Sequence, residues 1–275
     1  KSPNFTPHDQ LQALYTRLAR DIPVKVESIT RVDSLPIGPL TLRPITEDDD
    51  LTKVKLSRLY PVQGGVTFAH ERDPLVVQAR EKSQRHSFPD FKFLMVDNSS
   101  SMKDAADGSG NVGDKSMIPW GDRSKYHYAL LGFFGIENYL RKQRIAPFIG
   151  HGAALFSSST RYKEAGFDDM QSLYRHVLSP DWGNTYLDAA AVTRALSGRE
   201  SFVLTLSDGD IANWDSQRDV FKKAVGDQHY AHIQVGGKTG FSRDLEGWGI
   251  PVSYVTKGED ITKLMVKSAQ VAYGR

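Results

Sequence analysis

From Phe91 to its C-terminus the chain alternates between short apolar runs and longer helical patterns. The run FKFLMV begins at Phe91, and a nearly all-apolar helical pattern follows at 124–143, with Gly132 and Gly135 available for close approach to the sheet. Parallel strands need a crossover between them, and a helix is the usual crossover. The alternation therefore predicts an α/β fold with a doubly wound, mostly parallel central sheet and helices on both faces.

The same alternation of patterns predicts whether each later segment is a strand or a helix. Strands are predicted at 145–150, 201–206, 230–235 and 251–255, with a hairpin-like pair at 153–156 and 160–164. Helices are predicted at 168–178, 186–196, 215–225, 241–248 and 258–273.

The first third of the chain is rich in proline. Nine of the thirteen prolines lie in the first 89 residues, and a proline inside a helix breaks it. Residues 8–20 are the exception, because their leucines share one helical face. Short alternating runs beginning at Val24 and Val54 predict strands. We therefore expect an N-terminal, Pro-rich, mainly β segment at 1–87 and an α/β domain at 88–275.

Composition excludes several classes of protein. The 275 residues include 35 basic and 33 acidic side chains, a net charge of +2, which is too small to indicate nucleic acid or an anionic membrane. The absence of cysteine excludes disulfides, thiolate catalysis and cysteine-based metal sites. It is compatible with a reducing compartment, and we expect a cytoplasmic location. No apolar run approaches the roughly 18–20 residues that span a bilayer.

Oxygen-bearing side chains lie where predicted strands end. Asp97, Ser99 and Ser101 follow the run FKFLMV, Thr185 lies in DWGNTYLD just before a predicted helix, and Asp208 lies in LTLSDGD after the strand predicted at 201–206. Ligands of open α/β sheets bind beyond the carboxyl ends of the strands. These oxygens are hard donors, which select magnesium, manganese or calcium over zinc or copper.

This pattern resembles the von Willebrand factor type A (vWA) domain and its metal-ion-dependent adhesion site (MIDAS). The motif of that site is Asp-x-Ser-x-Ser, followed by a distant Thr and a distant Asp. The resemblance covers about 88–275, in the right order, and implies a Rossmann-like fold. Asn184 replaces a more usual glycine, and Ser207 replaces a more usual threonine. A larger departure is the insertion at 103–123, which separates the metal loop from its helix.

The resemblance also implies roles for the five residues. Ser99, Ser101 and Thr185 would bind Mg²⁺ (or Mn²⁺ or Ca²⁺) through their hydroxyls, while Asp97 and Asp208 would hold metal-bound waters. An Asp or Glu carboxylate from a partner protein would fill the remaining position. The resemblance thus implies a non-enzymatic binding module, whose partner is a ring-forming ATPase or another subunit of a complex.

Two other functions stay open at this point. A metal-dependent hydrolase of phosphoester or peptide bonds would need a general base and a cation near the metal, for which the sequence offers Asp181, Asp210, Lys103 and Arg123. A nucleic-acid-associated protein of the vWA class is the other alternative, although the charge balance does not favour it.

Three of the five candidate ligands also have a local structural alternative. Asp97 would cap a turn, Thr185 would cap the next helix, and Asp208 would begin an Asp-Gly turn. The stretch at 107–114 weakly resembles a calcium loop, but it lacks the usual glycine and glutamate of such loops.

Overall fold

A computed structural model describes residues 6–23, 33–35, 40–44, 55–57, 59–62, 65–68, 76–80, 83–85, 88–95, 98–109 and 118–273. The chain divides into two compact units. One comprises Lys1–Ile29 together with Phe88–Arg275, and the other comprises Thr30–Ser87. The predicted helix near the N-terminus therefore belongs to the same unit as the α/β part of the chain.

Short antiparallel strands form the described part of the smaller unit. They are β1 (Asp33–Leu35), β2 (Leu40–Pro44), β3 (Lys55–Ser57), β4 (Leu59–Val62), β5 (Gly65–Phe68), β6 (Val76–Arg80) and β7 (Ser83–Arg85). β2, β6 and β3 pair in that order, β4 pairs with β5, and β1 pairs with β7. The strand predicted from Val54 corresponds to β3 and β4, and the strand predicted from Val24 lies outside the described residues.

A mostly parallel sheet forms the centre of the larger unit. Its strands are β8 (Asp90–Met95), β9 (His151–Phe156), β10 (Thr160–Ala165), β11 (Ser201–Ser207), β12 (His229–Val235) and β13 (Val252–Val255). The spatial order is β10-β9-β8-β11-β12-β13, and among these pairs β10 with β9 is antiparallel. The chain continues from β8 to β9 on one side and later reaches β11 on the other. The carboxyl end of β8 is therefore a topological switch point, where open α/β sheets bind ligands.

Helices cover both faces of this sheet. They are α1 (Pro7–Arg20), α2 (Lys125–Lys142), α3 (Met170–Val177), α4 (Ala189–Leu196), α5 (Trp214–Val225), α6 (Gly240–Gly247) and α7 (Gly258–Tyr273). Successive side chains of a strand point to opposite faces. Accordingly, Phe93 packs in the core with α1, α2, α3 and α7, whereas Leu94 packs in the core with α4, α5 and α6. The predicted doubly wound, Rossmann-like architecture is confirmed. None of the described helices is long and apolar enough to cross a membrane.

The strand predicted at 145–150 is wrong. This segment contains a short 3₁₀ helix, Ala146–Phe148, and the strand begins only at His151. Pro147 fixes its own φ angle and lacks a backbone N–H, which disfavours a central strand. The predicted hairpin is confirmed as β9 and β10, with β9 also pairing with the central strand β8.

Helix α1 packs on α2 through buried polar contacts. Tyr15 is fully buried, and its hydroxyl accepts a hydrogen bond from Trp120 Nε1 at 2.9 Å. The same hydroxyl lies 2.9 Å from Nδ1 of His127 on α2. Because buried polar groups without partners are costly, these contacts tie the N-terminal helix to the α/β unit.

The glycines of α2 allow a close approach, but to α7 rather than to the sheet. A Cβ atom added at Gly135 would lie 2.9 Å from Val266 Cγ2, and one at Gly132 would overlap Met265. The sequence pattern identifies a buried helix with small residues, but it does not say which neighbour the small residues face.

Candidate metal centre

The polar residues predicted to form a site follow β8 and β11, which are neighbours in the sheet. Met95 pairs with Leu206, so the two strands end side by side. The next described helix after β8 is a 3₁₀ helix, Ser100–Lys103. An isolated parallel bridge between Ser99 and Gly183 brings the third segment, which carries Thr185, against this loop.

Three of the five predicted ligands form one hydrogen-bonded cluster. Ser99 Oγ and Ser101 Oγ are 2.8 Å apart, and Ser101 Oγ donates to Asp208 Oδ1 at 3.2 Å. The side chain of Asp208 is only 1% exposed. Two hydroxyls and a buried carboxylate therefore converge at the switch point. Asp97, the first residue of the predicted motif, lies outside the described residues.

Lys125 completes this cluster, and sequence reasoning missed it. Its Nζ lies 2.6 Å from Asp208 Oδ2, and its side chain is 16% exposed. Lys125 is the first residue of α2, whose first turn contains no acidic residue. The N-terminal end of a helix dipole disfavours a cation, so a lysine at this position was a signal that a nearby acid holds it.

The insertion at 103–123 does not carry the helix away from the site. Ala105 forms an isolated antiparallel bridge with Ser124, and the backbone N–H of Lys125 donates to the carbonyl of Asp104 at 3.0 Å. The two ends of the insertion are therefore held together. This closure places the start of α2 beside the serine hydroxyls.

Thr185 is joined through its backbone to the loop after β11. Its carbonyl accepts a hydrogen bond at 2.9 Å from the N–H of Ala212, in the loop after β11. Thr185 is not a helix N-cap, because α4 is capped by Asp188, whose carboxylate accepts from the N–H of Ala191 at 3.0 Å. The local alternative that a helix cap explains Thr185 is therefore wrong.

Asp181 joins the loops that surround the cluster. Its carboxylate accepts hydrogen bonds from Ser157 Oγ at 2.6 Å and from Asn98 Nδ2 at 3.1 Å. Asn98 is fully buried, and its side chain points to Asp181. Asp181 therefore ties the loop after β8 to the segment that leads to Thr185.

Close packing fixes the same segment at Gly183. A Cβ atom added there would lie 2.6 Å from Ser158 Oγ and 2.8 Å from the backbone nitrogen of Ser158. The preceding residue, Trp182, has φ +55°, which is uncommon for a residue with a large side chain. Its ring lies edge-on to Tyr126 at 5.0 Å between centroids, and Lys103 Nζ lies 4.6 Å from its centroid. The segment carrying Thr185 is thus held in one conformation from both sides.

The donor set fits a hard divalent cation. Within the described ranges, no three His, Cys, Asp or Glu side chains lie together as a metal-binding group. The cluster instead contains the hydroxyls of Ser99 and Ser101 and the carboxylate of Asp208, which are oxygen donors suited to Mg²⁺, Mn²⁺ or Ca²⁺. The buried carboxylate of Asp208 already has a positively charged partner in Lys125, since an uncompensated buried carboxylate is unfavourable. The feature that departs from a simple metal site is the ammonium group of Lys125.

The residues that the sequence offers for hydrolysis have other roles. Asp210 Oδ1 accepts from the N–H of Gly240, at the start of α6, at 3.0 Å, and Asp181 holds the loops described above. Arg123 pairs with Asp107 at 3.0 Å, and Lys103 stacks on an indole ring. None of the contacts described for these four residues is with the cluster of Ser99, Ser101 and Asp208.

The stretch at 107–114, which weakly resembles a calcium loop, is partly described. Asp107 accepts from the N–H of Ser109 at 3.0 Å, a contact typical of an Asx turn. The hydrogen bonds from Ser109 and the nearby Arg123 guanidinium lower the pKa of Asp107 below its usual value. Residues 110–117 lie outside the described residues, so the weak resemblance to a calcium loop is not tested by the structure.

No protein-family model matches this chain, and no curated protein matches it. The resemblance to the vWA domain therefore stays a prediction, and the functional argument depends on the geometry of the site.

Proposed function

We propose that this protein is a divalent-metal-dependent protein-binding module, in which the ion accepts a carboxylate from a partner protein. The observation that carries the proposal is the convergence of Ser99, Ser101 and the buried Asp208 at the switch point of the sheet. Thr185 and Asp97 would complete the site, as in a metal-ion-dependent adhesion site. The ion would be Mg²⁺, or Mn²⁺ or Ca²⁺.

The chemistry of the donors explains why such an ion would bind a carboxylate. A bound ion would supply a concentrated positive charge with a coordination position for an acidic side chain. The hydroxyls of Ser99 and Ser101 are neutral, so they leave most of that charge uncompensated. Asp208 supplies the negative charge that holds the ion, and its burial keeps water from screening the attraction.

The contacts around the site favour binding over hydrolysis. General base catalysis requires a carboxylate or imidazole within hydrogen-bond reach of the attacking water. Asp181 and Asp210, the acids that the sequence offers as general bases, are engaged in holding loops and a helix end. Their contacts support structural roles, and we therefore propose a module without catalytic activity.

The resemblance to the vWA domain suggests the kind of partner. We propose another subunit of a protein complex, such as a ring-forming ATPase, that presents an Asp or Glu side chain. Neither the net charge of +2 nor the site chemistry favours nucleic acid.

Affinity capture with and without EDTA tests this function. The immobilised protein is expected to retain a partner in Mg²⁺ and to release it in EDTA, and Asp208→Asn is expected to capture none. Asp210→Asn is the matched control, because Asp210 lies in the same SDGD segment but contacts Gly240. Capture that is unchanged by EDTA and by Asp208→Asn would refute a metal-dependent interface.

A further inference from the structure

The ammonium group of Lys125 compensates the negative charge of Asp208, the charge that a divalent cation would need. The side chain of Asp208 is 1% exposed and that of Lys125 is 16% exposed, and their charged atoms are 2.6 Å apart. An uncompensated buried carboxylate is strongly unfavourable. The ammonium group of Lys125 therefore supplies a positive charge to the carboxylate whose other oxygen contacts Ser101.

We propose that Lys125 is an intramolecular competitor of the divalent cation at this site. This inference rests on the proposed function, since it assigns Lys125 a role in the metal centre described above. A divalent ion that uses the charge of Asp208 would lie near the ammonium group, and the two like charges would repel each other. Ion binding must therefore displace the ammonium group from Asp208, and the cost of that displacement lowers the affinity for the ion.

The backbone contacts of Lys125 indicate that its side chain alone moves when the ammonium group is displaced. The N–H of Lys125 donates to the carbonyl of Asp104, and the residue begins the regular helix α2. Its Cα therefore stays in place, whereas the flexible four-carbon side chain can rotate away from the carboxylate. The competitor thus remains tethered at the edge of the site whether or not an ion is bound.

Lys103 provides a matched comparison. It lies in the 3₁₀ helix of the same loop, but its Nζ is 4.6 Å from the centroid of the Trp182 ring. Removing either lysine subtracts one positive charge from the region. The proposal predicts a large effect for Lys125 only, because Lys125 pairs directly with the carboxylate.

Mn²⁺ titration followed by electron paramagnetic resonance measures this competition in the full chain. Lys125→Met is expected to bind Mn²⁺ roughly 5- to 150-fold more tightly than the wild type, the usual range for coupling between two ligands. Lys103→Met is expected to change the affinity less than about threefold, the scale of exposed charge interactions. Equal affinities of Lys125→Met and the wild type, or similar gains in both variants, would overturn the proposal.

Asp208→Asn separates this inference from the proposed function. Mn²⁺ binding that is lost in Asp208→Asn but unchanged in Lys125→Met would leave the metal centre intact and reject the competitor. Absence of Mn²⁺ binding from the wild type and from Lys125→Met would reject both. Binding by Lys125→Met alone would support competition in its strongest form.

Amine labelling of the wild-type protein provides a test that needs no variant to fold. Acetylation followed by mass spectrometry is expected to show that Lys125 reacts faster in saturating Mn²⁺ than in EDTA, because the ion releases its ammonium group. The reactivity of Lys103 is expected to be the same in both. A Lys125 labelling rate that does not respond to Mn²⁺ bound at the site would contradict the proposal.

Discussion

Replacing Gly183 by alanine is expected to destabilise the protein and to weaken its metal site together. The added Cβ would lie 2.6 Å from Ser158 Oγ and 2.8 Å from the backbone nitrogen of Ser158. The hydroxyl can rotate, but the backbone nitrogen cannot yield without moving the loop. The segment must therefore shift, and with it the parallel bridge between Gly183 and Ser99.

The size of the effect follows from the packing at this position. Inserting a methyl group into a well-packed site costs about 1–3 kcal/mol. For a domain of this size, that cost lowers the melting temperature by roughly 2–12 °C. We expect Mn²⁺ affinity to fall as well, because the bridge positions both the Ser99 loop and the Thr185 segment.

The assay is urea unfolding followed by circular dichroism, together with Mn²⁺ titration. Gly166→Ala is the matched control: Gly166 has φ −78°, and a Cβ atom there would meet nothing within 4 Å. The control should be neutral or up to about 1 kcal/mol more stable, because alanine restricts the unfolded chain. Equal stability of Gly183→Ala and Gly166→Ala would refute the argument from close packing.

Three further predictions concern other parts of the larger unit. Tyr15→Phe should lower the free energy of unfolding by about 1–3 kcal/mol, measured in urea, because Trp120 Nε1 and His127 lose a buried partner. Unchanged stability would mean that the packing of α1 does not depend on these hydrogen bonds. Asp208→Asn should destabilise the ion-free protein in the same assay by about 1–3 kcal/mol, because it leaves Lys125 without its counter-charge, whereas Asp210→Asn should have a smaller effect. Burial lowers the pKa of His232 to about 4, so the unfolded chain binds a proton below about pH 6.5 that the folded protein excludes. The free energy of unfolding should therefore fall as the pH falls from 6.5 to 4, by up to about 3 kcal/mol from this group. His232→Gln should flatten that pH dependence, and an unchanged slope would argue against a neutral buried imidazole.

Much of the sheet was predictable because its signals are local. Most of the buried strands contain an apolar run, and the polar residues that follow β8 and β11 lie at carboxyl ends, which any parallel sheet places on one edge. The exception at 145–150 also has a local cause, since Pro147 replaces a strand by a 3₁₀ turn. A proline in an apolar run should therefore have shifted the predicted strand to His151.

The rest of the site depended on contacts between segments far apart in sequence. Lys125 lies 83 positions from Asp208, and the insertion conceals how close the start of α2 is to the serine loop. Likewise, nothing in the local pattern of α1 reveals that Tyr15 meets Trp120 and His127. The lysine at the first position of α2 was the available signal, because it opposes the helix dipole.

The most direct test of the metal centre is stoichiometric Mn²⁺ binding by the wild type, Asp208→Asn and Asp210→Asn. Electron paramagnetic resonance should detect one tightly bound ion per chain in the wild type and in Asp210→Asn, and none in Asp208→Asn. Binding of one Mn²⁺ ion by each of the three proteins would show that the ion does not bind at Asp208 and would contradict the proposed site.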